Sequence, residues 1–316
     1  MHAFLGPPPP ALWLLWPALP GAVLVGLVRI SFLRSVGQLA AKLAEQLHGT
    51  QWRDQLKPRA SEEFAEKIFY ASCHTLCTVV GGIICWSNGW LTRSGEFLFP
   101  MPFRHALPQD QFALTRVYFS LEVALALESS FHLVRIVVRD GAARERMMIL
   151  HHAVTLLLVG ASWAVIGLPE VGAVVLWLHA ASDVFIDLLK ACDALKWDAP
   201  LVPCYVLAVI GWVGFRFVLL PYHLMRPAWG RFSATAAGRC APYPDCGFYG
   251  LELPDQVYGC SCWFGLVLLL VMHAIWLKQL LRKGLKQLFK TGPSVELPDM
   301  CAPGFVGVPT AKGKQE

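Results

Sequence analysis

Residues 147–192 read MMILHHAVTLLLVGASWAVIGLPEVGAVVLWLHAASDVFIDLLKAC. Two apolar runs, 147–167 and 170–190, each approach the roughly 20 residues that a bilayer asks of a helix, and Gly167, Leu168 and Pro169 break them apart. Ionisable groups within such runs are costly, and they mark function by default. Here they cluster. His151 and His152 open the first run; His179, Asp183, Asp187 and Lys190 recur through the second. Steps of three and four residues place the latter four on one face of a helix, as a polar stripe on an otherwise apolar rod.

The rest of the chain repeats the pattern. Of its 316 residues 55% are hydrophobic and only 16% are charged. Soluble domains carry about 25% charged residues, so this chain cannot build a normal water-facing surface. Further apolar runs at 11–33, 66–91, 115–138, 200–224 and 258–281 bring the expected spans to seven. The first is interrupted by Pro17 and Pro20. It lacks a basic leader and a clear small-residue cleavage site, and reads as a retained span or anchor.

Basic residues fall in alternate connections: Arg34, Lys42, Arg53, Lys57 and Arg59; then Arg139, Arg144 and Arg146; then Lys196; then Lys278, Arg282, Lys283, Lys286 and Lys290. The positive-inside rule puts all four on the cytosolic side. The N-terminus and the loop 225–257 then lie opposite, in the lumen, with the C-terminus in the cytosol. Cys240, Cys246, Cys260 and Cys262 border that lumenal loop, where pairing and free thiols both remain open. The ten cysteines show no repeated CxxC pairing and so no zinc signature. The organisation is an N-terminal span with a basic linker over 1–64, a membrane domain over 65–285 and a disordered cytosolic tail over 286–316.

Depth links the two polar motifs. At 1.5 Å per residue His151 and His152 lie about 6–8 Å in from the cytosolic side, and Asp183 about 10 Å in. A carboxylate can hold an imidazole in one tautomer, and the imidazole can take a proton from an amine or attack an acyl group. Metal binding is the rival use of these side chains. No repeated histidine box supports it, so no metal is expected. Arg139, Arg144, Arg146, Lys190 and Lys196 ring the same mouth, either to dock a polyanion or only to set topology. Arg216, deep in the run 200–224, calls for a partner.

The segment from His151 to Cys192 resembles the signature of the ceramide synthase (longevity-assurance, TLC-domain) family. The matching positions are His151, His152, Thr155, Ser162, Gly172, His179, Ser182, Asp183 and Lys190. KIFYASCHTL from Lys67, FRFVLLPYHL around Arg216 and Pro221, and LVMHAIWLKQLL with His273 and Trp276 extend the likeness over about 65–285. Ala180 stands where the family has the first of two Asp residues; Asp187, Glu122 or Glu128 could compensate. Arg139-Asp140 also lies eleven residues before His151, where the family spaces such a pair by seven.

The resemblance implies an all-α polytopic membrane protein of about seven transmembrane helices, with a TLC-domain body around a central lipid cavity. It implies a ceramide synthase of the endoplasmic reticulum membrane, moving a fatty acyl group from acyl-CoA to the amine of a sphingoid long-chain base. His151, His152 and Asp183 would be catalytic. His179, Ser182, Lys190, Arg216, Arg139, Arg144 and Arg146 would bind substrate. Acyl-CoA is then a substrate, and no cofactor is expected. Membrane lipids and a homo- or hetero-dimer are the expected partners, and nucleic acid is not. The competing expectation is a TLC-domain lipid sensor, carrier or regulator without activity, for which Ala180 speaks.

Overall fold

A computed structural model describes residues 12–56, 59–91, 109–140, 146–164, 169–227, 229, 247–248, 251–252 and 255–288. Seven long helices among them stand where the seven spans are expected: α1 (Leu12–His48), α3 (Ala60–Ser87), α4 (Gln109–Asp140), α5 (Arg146–Ala164), α6 (Pro169–Ala194), α7 (Asp198–Val213) and α8 (Asp255–Leu288). A single turn, α2 (Trp52–Gln55), follows α1, and a two-residue antiparallel pair joins Gly247–Phe248 to Leu251–Glu252. Hydrocarbon leaves no water for unpaired backbone groups, so apolar runs of this length fold as helices.

Five segments are long and apolar enough to cross a bilayer: Pro17–His48, Ala60–Ser87, Glu170–Ala194, Asp198–Met225 and Trp263–Arg282. Met147–Trp163 is equally apolar but shorter. α4 carries Arg116, Glu122, Glu128 and Arg135, which lower its hydropathy. It repairs part of that internally: Glu128 takes Arg29 of α1 at 2.8 Å and the Tyr70 hydroxyl of α3 at 3.0 Å. The chain is therefore a multi-pass α-helical membrane protein.

Two boundaries differ from the expected ones. α1 runs unbroken through Pro17 and Pro20 to His48, so Arg34 and Lys42 belong to the helix and not to a loop. Apolar windows mark where lipid ends, whereas the helix continues into the headgroups. After Val213 the α7 rod opens into π-helical turns at Gly214–Leu219 and Pro221–Met225. Pro221 has no N–H and its ring crowds the preceding turn, which favours this widening.

α6 is the hub. Of its span 61% is buried, against 11% for α1, and it packs most extensively on α3 and then on α7. Gly172 marks a close approach: a Cβ there would collide with Ser162 Oγ and the Phe119 ring. Large apolar side chains such as Ile83, Trp86, Val117, Leu157, Ile210 and Phe264 point outward, as lipid-facing residues do.

The basic connections share one end of the bundle. His48 Nε2, closing α1, donates to Leu195 O at the end of α6 across 2.7 Å. Leu133 and Met148, which flank the α4–α5 turn, share an apolar cluster with Cys192, Leu201 and Leu280 from the ends of α6, α7 and α8. The same-side grouping follows from packing alone. Cys240 and Cys246 lie outside the described residues, as do the side chains of Cys260 and Cys262.

Candidate active site

The polar stripe of α6 is divided among three neighbouring helices. Asp183 forms an ion pair with Arg216, which the π-turns of the α7 rod present to it. Arg216 is 1% exposed; its Nε donates to Ser182 Oγ at 2.7 Å, and its Cζ lies 3.9 Å from the Trp212 ring centre. A guanidinium so deep in hydrocarbon is held by a carboxylate, a hydroxyl and an aromatic face together. Ser182 is fully buried and gives its own proton to His179 O at 2.8 Å. It therefore shapes the Arg216 socket.

One turn earlier, His179 Nδ1 donates to Val175 O at 2.7 Å. With one proton per ring its Nε2 must accept, and the donor is His273 Nε2 of α8 at 3.1 Å. His273 is fully enclosed, Trp212 Nε1 donates to its carbonyl at 3.2 Å, and its Nδ1 has no partner. One turn later, Asp187 accepts from His74 Nδ1 of α3 at 2.8 Å. Lys190 is buried, and its Nζ has no hydrogen bond among the described residues.

The histidine pair is held differently from expectation. Among the described residues neither His151 nor His152 bonds Asp183, because Arg216 takes that carboxylate. His152 Nδ1 faces Ser130 Oγ of α4 at 3.1 Å, and Ser130 spends its own proton on Ala126 O at 2.6 Å. Ser130 must therefore accept from His152, and a ring with one proton keeps Nε2 bare. His151 packs edge-on against Trp276 at 4.9 Å, and among the described residues its enclosed Nδ1 has no hydrogen-bond partner, nor has Thr155 Oγ1 one turn on. Asp183 reaches the pair only through Arg216, which lies within electrostatic range of His151.

Ala180 is 3% exposed and belongs to the main apolar cluster with Leu178, Leu220 and Leu224. Of the candidate compensating carboxylates, Glu128 is taken by Arg29 and Tyr70. Glu122 sits beside Tyr118 and Cys77, within range of Asp183 and His74. Asp187 holds an imidazole, but it is that of His74. Lys196 pairs with Asp193 at 2.7 Å. Arg144 and the side chains of Arg139 and Arg146 lie outside the described residues.

Ser130, His74 and Trp212 carry this geometry without having been expected to. His74, an ionisable residue mid-span, was a legible signal. Ser130 gave only the polar run Glu128-Ser-Ser-Phe-His132, and Trp212 nothing beyond an aromatic in an apolar run.

The site can hold an imidazole with a bare nitrogen on α5, beside a buried guanidinium–carboxylate pair, in a lipid-bounded protein. The family model for the TLC domain matches residues 63–282. Ceramide synthase hyl-1 of Caenorhabditis elegans is 24% identical over 244 residues, 75% of this chain and 61% of that protein. Ceramide synthase hyl-2 of the same organism is 34% identical over 89 residues, 28% and 26% of the two chains. Ceramide synthase LOH2 of Arabidopsis thaliana is 29% identical over 80 residues, 25% and 27%. The chain thus matches between about a quarter and three fifths of the length of these relatives. With more than half of its residues matched by one family model, and with the helical body and histidine pair in place, the chain belongs to the TLC-domain family.

Proposed function

We propose that the protein is an acyl-CoA-dependent N-acyltransferase that joins a fatty acyl group to the amine of a sphingoid base, making ceramide. The observation that carries this reading is the His152–Ser130 hydrogen bond, which leaves Nε2 of His152 unprotonated. That nitrogen can take a proton from the attacking amine, or accept the acyl group and pass it on. Either route ends with an amide and free CoA. The donor is a substrate, and amide formation from a thioester asks for no further cofactor.

Both substrates have apolar tails, which a lipid-lined cavity between the helices would take. CoA would dock from the cytosol at the end bearing Arg139, Arg144, Arg146 and Lys190, with the C-terminus on that side and the N-terminus in the lumen. An endoplasmic reticulum membrane supplies both substrates. Asp183 acts through Arg216, holding a fixed positive charge near the pair that favours a developing oxyanion. Membranes from cells expressing the chain, given acyl-CoA and a sphingoid base, should form ceramide, and His152→Ala membranes should not. Ceramide no higher than in membranes lacking the chain would dismiss the reading, and equal formation by both would take the base away from His152.

The second reading is a TLC-domain lipid sensor, carrier or regulator without activity. Ala180 favours it, since an apolar cluster fills the place of a family carboxylate. Wild-type membranes that bind a sphingoid base without turning it over would select it.

A further inference from the structure

The His74–Asp187 pair has no part in the chemistry described above. It lies across the interface of α3 and α6, with Nδ1 of His74 bonded to Asp187 Oδ2 at 2.8 Å. Asp187 is buried, while the His74 side chain keeps 25% exposure. The ring also stacks on Tyr70, and its Nε2 has no hydrogen-bond partner among the described residues. A carboxylate behind one nitrogen and an open second nitrogen is the arrangement of a supported base. The charged and titratable groups facing the ring are Asp187 and Asp183 of α6, Glu122 of α4 and Tyr70 of its own helix.

The reaction has a proton that His152 alone cannot handle. A long-chain primary amine resembles lysine, with a pKa near 10, and arrives as an ammonium without a lone pair. Written in full, thioester plus ammonium gives amide, CoA thiol and one proton. His152 can move the proton of the attacking nitrogen to the departing thiolate, but the first ammonium proton must already have gone. We infer that His74, held by Asp187, takes that proton at Nε2 and so frees the amine to attack. Asp187 then carries the imidazolium charge, and the proton leaves by the exposed edge of the ring. His74 is thus a second catalytic residue, touching the acceptor amine. Asp183, in range of His74 and paired with Arg216, links His74 to the guanidinium near His151. This inference rests on the N-acyltransferase reading.

The test is His74→Asn, whose amide can keep the donor toward Asp187 while removing the basic nitrogen. N-acylation of a sphingoid base is followed from pH 6.5 to 9.5 in membranes matched for protein. At neutral pH the variant should lose about 10²-fold. That loss should shrink as pH rises, because the amine then arrives already neutral. Asp187→Asn should give a milder loss of the same shape, and it replaces His74→Asn if that variant fails to accumulate. A wild-type rate at neutral pH overturns the inference. So does a loss of the same size at every pH, which is what a mere staple between α3 and α6 would give. Wild-type activity abolished by His152→Ala but untouched by His74→Asn leaves the N-acyltransferase standing without this base. A wild type that forms no amide dismisses both.

Discussion

Ser130 of α4 accepts the Nδ1 proton of His152 of α5 across 3.1 Å, having spent its own hydroxyl proton on Ala126. The bond fixes which nitrogen of His152 is bare, and it crosses a helix boundary to do so. Ser130→Ala removes the acceptor and lets the ring choose either tautomer. A hydrogen bond is worth about 1 kcal/mol net, so N-acylation should fall about fivefold with protein level unchanged. Ser130→Thr restores the hydroxyl and should recover most of the rate. An alanine variant with the full rate would show that Ser130 has no hold on His152.

Arg216 is enclosed and Asp183 partly so, and losing one of them takes the opposite charge from the other. Breaking a buried pair costs about 3–5 kcal/mol. Asp183→Asn should therefore lower the melting temperature in detergent as well as the activity, and Arg216→Met should do the same. The double variant, Asp183→Leu with Arg216→Met, should regain accumulation but not turnover. If Asp183→Asn melts like wild type, Arg216 has another charge partner.

Ala180→Asp reads from sequence alone as a repair, since it restores a family carboxylate that should be tolerated and could raise activity. The structure reverses that expectation. Ala180 is 3% exposed among Leu178, Leu220, Leu224 and other apolar neighbours. An added carboxylate would be buried without a partner, at a cost of several kcal/mol or more. The variant should accumulate poorly, while Ala180→Ser should be close to neutral. Normal accumulation and melting of Ala180→Asp would mean that water reaches this position.

The number of helices and their order were legible in the sequence because lipid imposes one rule on every span, and apolar length states it. The same-side grouping of the basic connections was legible too, through the positions of Arg34, Arg139, Lys196 and Lys278. The pairings were not. Four stripe residues on α6 share a face, yet α6 is surrounded, and its neighbours divide that face among them: His273 of α8, Arg216 of the π-turns and His74 of α3. Helical periodicity says which side chains align along one rod and nothing about which rod meets them. Asp183 consequently went to a guanidinium where an imidazole had been expected. The π-helical turns that aim Arg216 were also invisible, apart from Pro221.

Orientation can be read with two reporters. A protease-sensitive tag at the C-terminus and one in the 49–51 turn should both be cleaved in intact microsomes, since α1, α6 and α8 end on one face. A tag within 231–246 should be protected. Cleavage there, with protection of the other two, would invert the protein and remove the cytosolic entry of acyl-CoA. Cys240 and Cys246 can be read in the same preparation. Unreduced, alkylated protein should show at least one disulfide by mass, and full alkylation without reduction would count against it.

The two histidines of the pair should not be equivalent. His152 has one nitrogen satisfied by Ser130 and the other bare, so it is the ring prepared to receive a proton or an acyl group. His151 packs edge-on against Trp276, with Nδ1 enclosed and unpartnered, within electrostatic range of Arg216. Its geometry suits orienting a substrate or the adjacent ring. General acid–base help contributes about 10²–10⁴-fold. His152→Ala should lose at least that in kcat with little change in KM. His151→Ala should also fall, but with a larger share of the loss in KM, and His151→Asn should recover part of it by keeping a polar group at Nδ1. Acyl transfer through His152 itself would leave a mass increment of one acyl group on wild type quenched after acyl-CoA alone, absent in His152→Ala. Ceramide formation at the wild-type rate in the His152 variant, at matched protein level, would end the assignment. A kcat loss confined to His151→Ala would exchange the two roles.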